Sequence, residues 1–462
     1  MRYISITASQ RRKMLEQIGC DSIEDLFEDI PKSVRFLRPL DLPSAQSEMQ
    51  VSARLSALAE SNIPAGRLIS FAGAGCYDHY IPSVVDHVIR RPEFFTAYTP
   101  YQPEVSQGTL QALYEYQSMI CELTGMDVAN ASMYDGPTAL VEAIFMATRV
   151  TARQSVLCVG DMHPEWVSTI RTYSKSGKFS LIELPEDTST GRISAAHIEN
   201  SLDPSLFVDV AAVVTQSPSF FGVIDDIAAM TTFAHGIGAV SVAAVNPVLL
   251  GILRPPSDFG VDVVVGDGQS IGSPMSFGGP GFGFFACRGR FLRQMPGRIV
   301  GRTVDVDGRE AYTLTLSTRE QHIRREKATS NICSNHSLNA LAAAVYLSAV
   351  GGNGLAQVAK ACVDNARFLY RLLLETGKFT PLWDAPFGYE FALRYSGGNV
   401  SEMQLKMIDR GYIAGVSAAR IADFEGVGPA SGLDLSDVVI FAVTEKRTAA
   451  EMIAFAREIE TL

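Results

Sequence analysis

Five short apolar runs, rich in β-branched residues, recur in the middle of the chain with stretches of helical length between them. Strands that are buried on both faces appear in a sequence as continuous apolar runs, and parallel strands need helical crossovers between them. The helical pattern at residues 227–235, closed by Gly236 and Gly238, fits such a crossover. The sequence therefore predicts an α/β fold with a mostly parallel sheet covered on both sides. The runs occupy residues 155–159, 208–214, 239–245, 261–265 and 281–287.

The segments on either side predict an arm and a second domain. Ser22 and Asp25 have the spacing of a helix cap, and the apolar residues of 48–62 follow a helical period. An alanine-rich stretch from Asn339 predicts a long buried helix, followed by a helix at 358–374 and a strand near 438–443. We expect an N-terminal helical arm (1–64), a large α/β domain (65–338) and a small C-terminal α+β domain (339–462).

Composition excludes several classes of partner and site. The 39 basic and 50 acidic residues give a net charge of -11, which offers no positive field to nucleic acid or anionic lipid. The seven cysteines are scattered without a C-x-x-C pair, which favours a reduced, cytoplasmic location. No apolar run has the length of a membrane span, and the first residues lack the apolar stretch of a signal peptide. The histidines show no metal-binding spacing, so we predict no metal site.

A polar turn precedes the amphipathic pattern at residues 137–147. It offers Ser132, Asp135, Gly136 and Thr138 where a helix begins, and free amides at such an end favour a phosphate. Ordinary helix capping explains the same residues equally simply, because serine, aspartate and threonine are common caps.

Three other segments have the composition of binding loops. Residues 266–285 contain seven glycines in twenty positions, which lets the backbone approach a ligand or a neighbouring chain closely. Residues 98–108, YTPYQPEVSQG, form a proline-stiffened loop rich in hydrogen-bonding side chains. Residues 317–334 place basic side chains beside a small polar turn. A kinked strand, a surface loop and a solvated basic helix face are the plain alternatives.

Taken together, four blocks resemble the glycine decarboxylase family. They are YTPYQPEVSQG at Tyr98, ASMYDGPTAL at Ala131, GQSIGSPMSFGGPGFG at Gly268 and REKATSNICS at Arg325, and the arm's IEDLFEDIP at Ile23 is similar too. The resemblance implies an aspartate-aminotransferase-like (fold type I) pyridoxal-phosphate-dependent transferase fold, which agrees with the predicted α/β pattern.

The resemblance also implies which catalytic groups this chain lacks. In the family, the cofactor-binding lysine lies in a pattern of His-Lys-Thr, a proline, a glycine run and Pro-Gly. Aligning Pro274 and Pro280 with that pattern places Gln269 at the lysine position, and a glutamine amide cannot form an imine. Where this class has an aspartate for the pyridinium nitrogen, the chain has Asn246.

The family occurs as one long chain or as two subunits, and the resemblance implies that this chain is the first, lysine-less subunit. Pyridoxal phosphate would then be bound to a lysine-bearing second subunit, two copies of each forming a heterotetramer that decarboxylates glycine and transfers the aminomethyl group to the lipoyl arm of H-protein. No covalent catalytic residue is expected here. We expect Tyr98, Tyr101, Gln102 and Glu104 to line the partner's substrate channel, and the partner's phosphate to be contacted by Thr329, Ser330 and Asn331.

Two alternatives remain at this stage. A self-sufficient pyridoxal-phosphate decarboxylase or lyase of the same fold would use one of the nine lysines, with Lys327 the least implausible. A non-catalytic scaffold or regulatory pseudoenzyme would have kept the fold after losing its site.

Overall fold

The computed structural model describes residues 6–36, 38–422 and 432–462. It contains two compact units, Met1–Ile63 and Pro64–Leu462. The first unit has two helices, α1 (Ala8–Ile18) and α2 (Glu48–Glu60), each closed at its start by a capping box. Helix α2 is the helix expected at 48–62. Ser22 and Asp25 are hydrogen-bonded to each other, as their spacing predicts. Neither helix buries a residue.

The second unit contains the remaining helices and all the strands of the described residues. Its helices are α3 (Ser83–Ile89), α4 (Pro92–Phe95), α5 (Gln107–Thr124), α6 (Gly136–Thr151), α7 (Pro164–Ser174), α8 (Ala195–Ser201), α9 (Ile227–Gly236), α10 (Gln321–Arg324), α11 (Ser337–Glu375), α12 (Val400–Asp409), α13 (Ala418–Ala422) and α14 (Ala449–Glu460). Its strands are β1 (Ile69–Ser70), β2 (Val128–Ala129), β3 (Ser155–Val159), β4 (Ser180–Leu184), β5 (Val210–Ser217), β6 (Val240–Val245), β7 (Val263–Asp267), β8 (Gly283–Cys287), β9 (Ile299–Val304), β10 (Glu310–Thr315), β11 (Phe379–Pro381), β12 (Glu390–Tyr395), β13 (Tyr412–Ile413), β14 (Val416–Ser417) and β15 (Val438–Ala442).

The main sheet has seven strands in the order β2-β8-β7-β6-β5-β3-β4. Strands β3 to β7 are mutually parallel. At one side β8 runs antiparallel to β7, and β2 in turn pairs antiparallel with β8. All five predicted apolar runs became strands of this sheet. The run at 155–159 matches β3 at both ends, so the prediction of a mostly parallel α/β sheet is confirmed.

Both faces of the sheet are covered, as continuous apolar strands require. In β6, Val242 and Ala244 point into a core shared with α6 and α7, whereas Ala243 and Val245 point into a core shared with α5 and α11. The alternation along one strand places successive side chains on opposite faces.

The alanine-rich segment forms one helix, α11, with a kink at Gly351, where φ is +63°. The predicted helix at 358–374 is its second half rather than a separate element. By length and composition alone, α11 is the one helix among the described residues that is apolar enough to cross a membrane, so the expectation of no such segment was wrong on that measure. Helices buried in a protein core pass the same test, and thirteen residues of α11 are buried against the rest of the chain.

A four-stranded antiparallel sheet, β11-β12-β15-β14, forms the C-terminal part. β15 lies at the predicted 438–443. The short β1 joins this part by pairing in parallel with β13. The boundary between residues 338 and 339 stays a prediction, since residues 64–462 form one compact unit.

Candidate functional site

A cavity that opens to solvent lies at the carboxyl ends of β5, β6 and β7, and it encloses about 680 Å³ when the open solvent at its mouth is included. The loops that follow parallel strands converge at this edge, which is where open α/β sheets bind their ligands. The walls come from the loops after β1, β3, β5, β6 and β7, together with Tyr389 and Glu390 at the start of β12. This cavity therefore lies where a protein of this fold would hold a cofactor or substrate.

Gln269 lies in the loop after β7, buried beside the cavity. Its side-chain oxygen accepts a hydrogen bond from the Tyr77 N–H at 2.9 Å, and its amide nitrogen donates to the carbonyls of Tyr77 and Ser273 at 3.0 and 2.9 Å. The nitrogen's two hydrogens and the oxygen thus all bond to backbone groups. The side chain fastens the loop that carries Tyr77 to the loop after β7, a structural role that needs no cofactor.

The N-terminus of α6 is closed by carboxylates. Asp135 caps it, accepting from the Thr138 N–H at 2.8 Å, and Asp267 at the end of β7 accepts from the Gly136 N–H at 3.2 Å. Trp166 packs against the same glycine, because a Cβ added to Gly136 would lie 2.3 Å from its ring. The helix end that would favour a phosphate already has two negative groups and an indole upon it.

The polar turn before α6 faces the protein instead of the cavity. Ser132 is buried, with a left-handed φ of +114°, and its hydroxyl accepts from the His336 N–H and the Asn335 amide at 3.1 and 3.2 Å. Thr138 returns its hydroxyl to the Asp135 carboxylate at 2.7 Å. Helix capping therefore accounts for the hydrogen bonds of the Asp135 and Thr138 side chains.

Two acids face the cavity. Burial raises the pKa of Asp267 to about 6 and that of Glu390 to about 7. The Glu390 carboxylate accepts from the Tyr77 hydroxyl at 2.9 Å and also from the Ala74 N–H. Burial lowers the pKa of His163, so its imidazole is neutral at pH 7. The site is acidic.

Asn246 follows β6 at the position where an aspartate was expected by resemblance. Its amide nitrogen donates to the Tyr389 hydroxyl at 2.6 Å, and its oxygen accepts from the N–H groups of Val248 and Leu249. The side chain stabilises the turn that follows the strand and supplies no charge for a pyridinium nitrogen.

These walls do not fit covalently bound pyridoxal phosphate. No lysine is among the described residues that line the cavity, the helix end holds Asp267 where a phosphate needs free amides, and Asn246 is neutral. Lys327, the lysine favoured for a self-sufficient enzyme, is exposed and is not among those lining residues.

The tyrosine-rich loop lies on the surface. Tyr98 is 79% exposed and Tyr101 is 51% exposed, and Gln102 and Glu104 are exposed as well. The Tyr101 side chain nevertheless contacts the protein. Its hydroxyl accepts a hydrogen bond from Arg298 at 3.1 Å, and the Arg298 guanidinium lies 5.4 Å from the centre of the Tyr101 ring.

Arg298 joins this loop to the segment at 317–334. Its guanidinium pairs with Glu320 at 3.3 Å and donates to the Cys333 carbonyl at 2.6 Å and to the Asn335 side chain at 3.4 Å. Both side chains of the ion pair are under a tenth exposed. Arg319 lies alongside, with its donors on the carbonyls of Met295, Gly297 and Leu316.

We call this cluster the arginine corner, defined as Tyr101, Arg298, Arg319, Glu320, Thr329, Ser330 and Asn335. Thr329 and Ser330 line a small pocket with the two arginines, and Asn331 is exposed next to them. The structure thus brings two separately predicted segments together. Sequence reasoning missed Arg298, since a single arginine at the start of a strand carries no pattern.

One group of possible metal ligands does exist among the described residues. His79 Nδ1 lies 2.8 Å from Glu445, and the Cys362 thiol donates to the same carboxylate at 3.2 Å. Against the effect of burial, the hydrogen bonds from His79 and from the Tyr80 N–H lower the pKa of Glu445 to about 2. These three residues show no metal-binding spacing in the sequence, and the absence of a metal site stays a prediction.

Comparison with known proteins places this geometry in context. Residues 1–404 match the family model "Glycine cleavage system P-protein". The chain is 45% identical over 458 residues to "Probable glycine dehydrogenase (decarboxylating) subunit 1" of Geobacillus sp. (strain WCH70), covering 99% of this chain and 98% of the relative. It is 44% identical over 452 residues to the protein of the same name from Carboxydothermus hydrogenoformans, covering 98% of each.

Solved structures also resemble this chain. A glycine decarboxylase (P-protein) of the glycine cleavage system, in inhibitor-bound form, superposes with a TM-score of 0.86 at 41% identity and covers both chains completely. A sphingosine-1-phosphate lyase from Burkholderia pseudomallei superposes with a TM-score of 0.64 at 15% identity over 93% of this chain and 94% of that one. At that identity the second likeness shows the fold alone, which is fold type I.

Proposed function

The chain belongs to the glycine cleavage system P-protein family, and on this premise we propose that it is subunit 1 of a two-subunit glycine dehydrogenase (decarboxylating). In the assembled enzyme, glycine loses its carboxylate as carbon dioxide and its aminomethyl group passes to the lipoyl arm of H-protein. Pyridoxal phosphate, bound to a lysine of the second subunit, supplies the electron sink. Two copies of each subunit form the cytoplasmic enzyme.

One observation carries the assignment of the cofactor to the partner. Gln269 stands at the lysine position of the family pattern with its amide bonded to backbone groups, and Asp267 occupies the helix end beside it. Because a glutamine amide cannot form an imine, this arrangement supports a reactive lysine on another chain.

This chain contributes a wall of the partner's site in the proposed complex. The exposed loop with Tyr98, Tyr101, Gln102 and Glu104 provides phenols, an amide and a carboxylate that can orient a small substrate. Thr329, Ser330 and Asn331 provide small hydrogen-bonding groups for a phosphate. Arg298 supports both segments through its bonds to Tyr101 and to the Cys333 carbonyl.

The decisive experiment is glycine–carbon dioxide exchange measured with H-protein and pyridoxal phosphate. We expect no exchange from the pure chain and full exchange once the lysine-bearing subunit is added. Borohydride reduction of the complex, followed by peptide mapping, should find the pyridoxyl group only on the partner. Exchange by the pure chain, or a stoichiometric pyridoxyl-lysine within it, would favour a self-sufficient enzyme instead.

The second alternative, a non-catalytic scaffold, predicts a different result. A scaffold would restore assembly, yet substitutions in its exposed loop would leave the turnover of the complex unchanged. The Tyr101 and Glu104 variants described below separate that outcome from a direct role.

A further inference from the structure

The charged side chains that line the cavity, among its described walls, are acids. Asp267 and Glu390 are present, lysine and arginine are missing from the lining, and His163 is neutral because burial lowers its pKa. Fold type I enzymes bind an anionic cofactor at this edge of the sheet, whereas the charged groups that line this cavity are themselves negative. These groups repel the phosphate that the fold usually holds at this edge.

Neither acid has a cationic partner among the ion pairs of the described residues. Asp267 accepts one hydrogen bond on each oxygen, from the Gly136 and Gln269 N–H groups, and Glu390 accepts from the Ala74 N–H and the Tyr77 hydroxyl. A carboxylate oxygen has room for about two acceptor contacts. Each oxygen of Asp267 therefore keeps a lone pair for a further donor, and the side chain borders open space.

Aromatic and apolar groups make up much of the remaining wall. Trp166 packs over the α6 terminus next to Asp267, and Tyr77 and Tyr389 meet edge to face with ring centroids 5.1 Å apart. Ring faces attract cations, and tryptophan attracts them most strongly. Such walls suit an organic cation with carbon atoms better than a hydrated metal ion, which needs several oxygen ligands.

From this combination we propose that the cavity binds a small organic cation, with an ammonium nitrogen against the Asp267 carboxylate and the attached carbon atoms packed on Trp166 and Tyr389. This site lies beyond the proposed function, since the cofactor and glycine belong to the partner's site in that proposal. It gives the chain a ligand pocket of its own inside each heterotetramer.

The test uses the full-length chain by itself, so that no carbonyl cofactor on a partner captures the amine. Ethylammonium chloride is titrated by calorimetry at pH 7.5, with ethanol and sodium acetate as neutral and anionic probes of similar size. A ligand with three heavy atoms is limited to a Kd on the order of 1 mM. We expect saturable binding of ethylammonium in that range and none of acetate, phosphate or ethanol. Tetramethylammonium shows whether a hydrogen-bonding N–H is needed.

Two variants locate the binding. Asp267→Asn removes the charge from the cavity wall and should weaken ethylammonium at least about tenfold. The matched control is Asp135→Asn, which neutralises a carboxylate at the same helix end but outside the lining, and asparagine caps helices as well as aspartate does. The control should change the affinity less than about twofold, because its carboxylate makes no contact with the cavity.

Several outcomes overturn the proposal. Binding of acetate or phosphate as tight as that of ethylammonium would show that the acidic wall does not select charge. If the wild-type chain shows no saturable binding of ethylammonium, the proposal is overturned, whether or not the Asp267 variant folds. Unchanged affinity in a folded Asp267→Asn chain would place the ammonium elsewhere. None of these results depends on activity with the partner, so they leave the proposed function standing.

Discussion

The cavity and the arginine corner each hold charged side chains of low exposure, but the signs of those charges differ. The cavity holds Asp267 and Glu390 without an ion-pair partner among the described residues, whereas the corner holds Arg298 paired with Glu320 and Arg319 on backbone carbonyls. Fold type I enzymes bind an anion at the first place. In this chain the positive groups lie instead at the second, beside an exposed loop.

The two places thus use their charges differently. At the cavity the Asp267 carboxylate bonds to the Gly136 N–H at the start of α6 and borders open space, while in the corner the Arg298 guanidinium holds two surface segments together. Variants at each place test this contrast.

Arg298→Met should destabilise the chain most. It removes one partner of a buried ion pair and leaves Glu320, the Cys333 carbonyl and the Tyr101 hydroxyl without their donor, at a cost of about 3–5 kcal/mol. The free energy of unfolding in urea measures the loss. Arg254→Met is the control, since its pair with Asp258 is largely exposed and contributes less than about 1 kcal/mol. Equal losses in the two variants would mean that the corner is not a buried support.

Glu390→Gln should change how stability depends on pH. Burial raises the pKa of Glu390 from an unfolded value of about 4.5 to about 7, so the folded chain binds more protons than the unfolded chain between these values. Stability contributed by the protonated carboxyl is therefore present below pH 4.5 and is lost as pH rises toward 7, amounting to about 3 kcal/mol.

The variant stays neutral, so its unfolding free energy should fall less than that of the parent between pH 5 and pH 8. Denaturant unfolding at several pH values gives the two slopes. Asp225 and Glu142, whose pKa values burial also raises to about 7, keep part of the slope in both proteins. Parallel curves for variant and parent would show that Glu390 is not the buried acid described here.

Tyr101→Phe should slow the reconstituted enzyme at least about tenfold while lowering its stability by less than about 1 kcal/mol. The hydroxyl is bonded to Arg298 but the side chain is half exposed, so its main contribution is to the position of the loop. Glu104→Gln keeps the shape and removes the charge, which separates an electrostatic effect from hydrogen bonding.

For these loop variants, kcat and KM of the complex are measured together with its melting temperature and the affinity between the subunits. If both variants assemble normally and turn over at the parental rate, the loop is structural only. The chain would then be a scaffold rather than a wall of the partner's site.

Gln269→Lys should have little effect on the binding of pyridoxal phosphate by this chain. The new amine lies next to Asp267, and the helix end remains closed to a phosphate, so borohydride reduction should still give no stoichiometric pyridoxyl-lysine in this chain. Adding Asp267→Ala frees the Gly136 N–H and should increase the labelling above that of the single variant. Full labelling of the single variant would show that the missing lysine alone, and not the charge of the cavity, excludes the cofactor.

Much of the fold could be predicted because the strands are buried on both faces. The runs at 155–159, 239–245 and 281–287 became β3, β6 and β8 with ends shifted by two residues at most. The strand β4, SLIEL, was missed since it lies at the edge of the sheet and carries Ser180 and Glu183 among its apolar residues. The helix predicted from Asn339 and the one predicted at 358–374 are a single packed helix, which continues through Gly351 with a kink.

The site was less accessible to sequence reasoning. Gln269 was found through the resemblance, and it does lie beside the cavity. Ser132 and Thr138 were proposed for a pocket that they do not line, because their hydroxyls bond to Asn335 and Asp135 instead. The roles proposed for Tyr98, Gln102, Glu104 and Asn331 stay predictions, since they depend on a chain other than this one.

The sequence was enough to predict the α/β class, five strands of the main sheet and, through the family resemblance, the lack of a lysine at the reactive position. The strands follow from local patterns, since burial of a strand or the period of a helix is written in neighbouring residues. Only the folded chain shows that Asp267 bonds to Gly136, 131 residues away, and that Arg298 bonds to Tyr101, 197 residues away. The physical reason is that a charge's effect depends on what lies within a few ångströms of it, and for side chains so far apart in the chain those distances are set by folding.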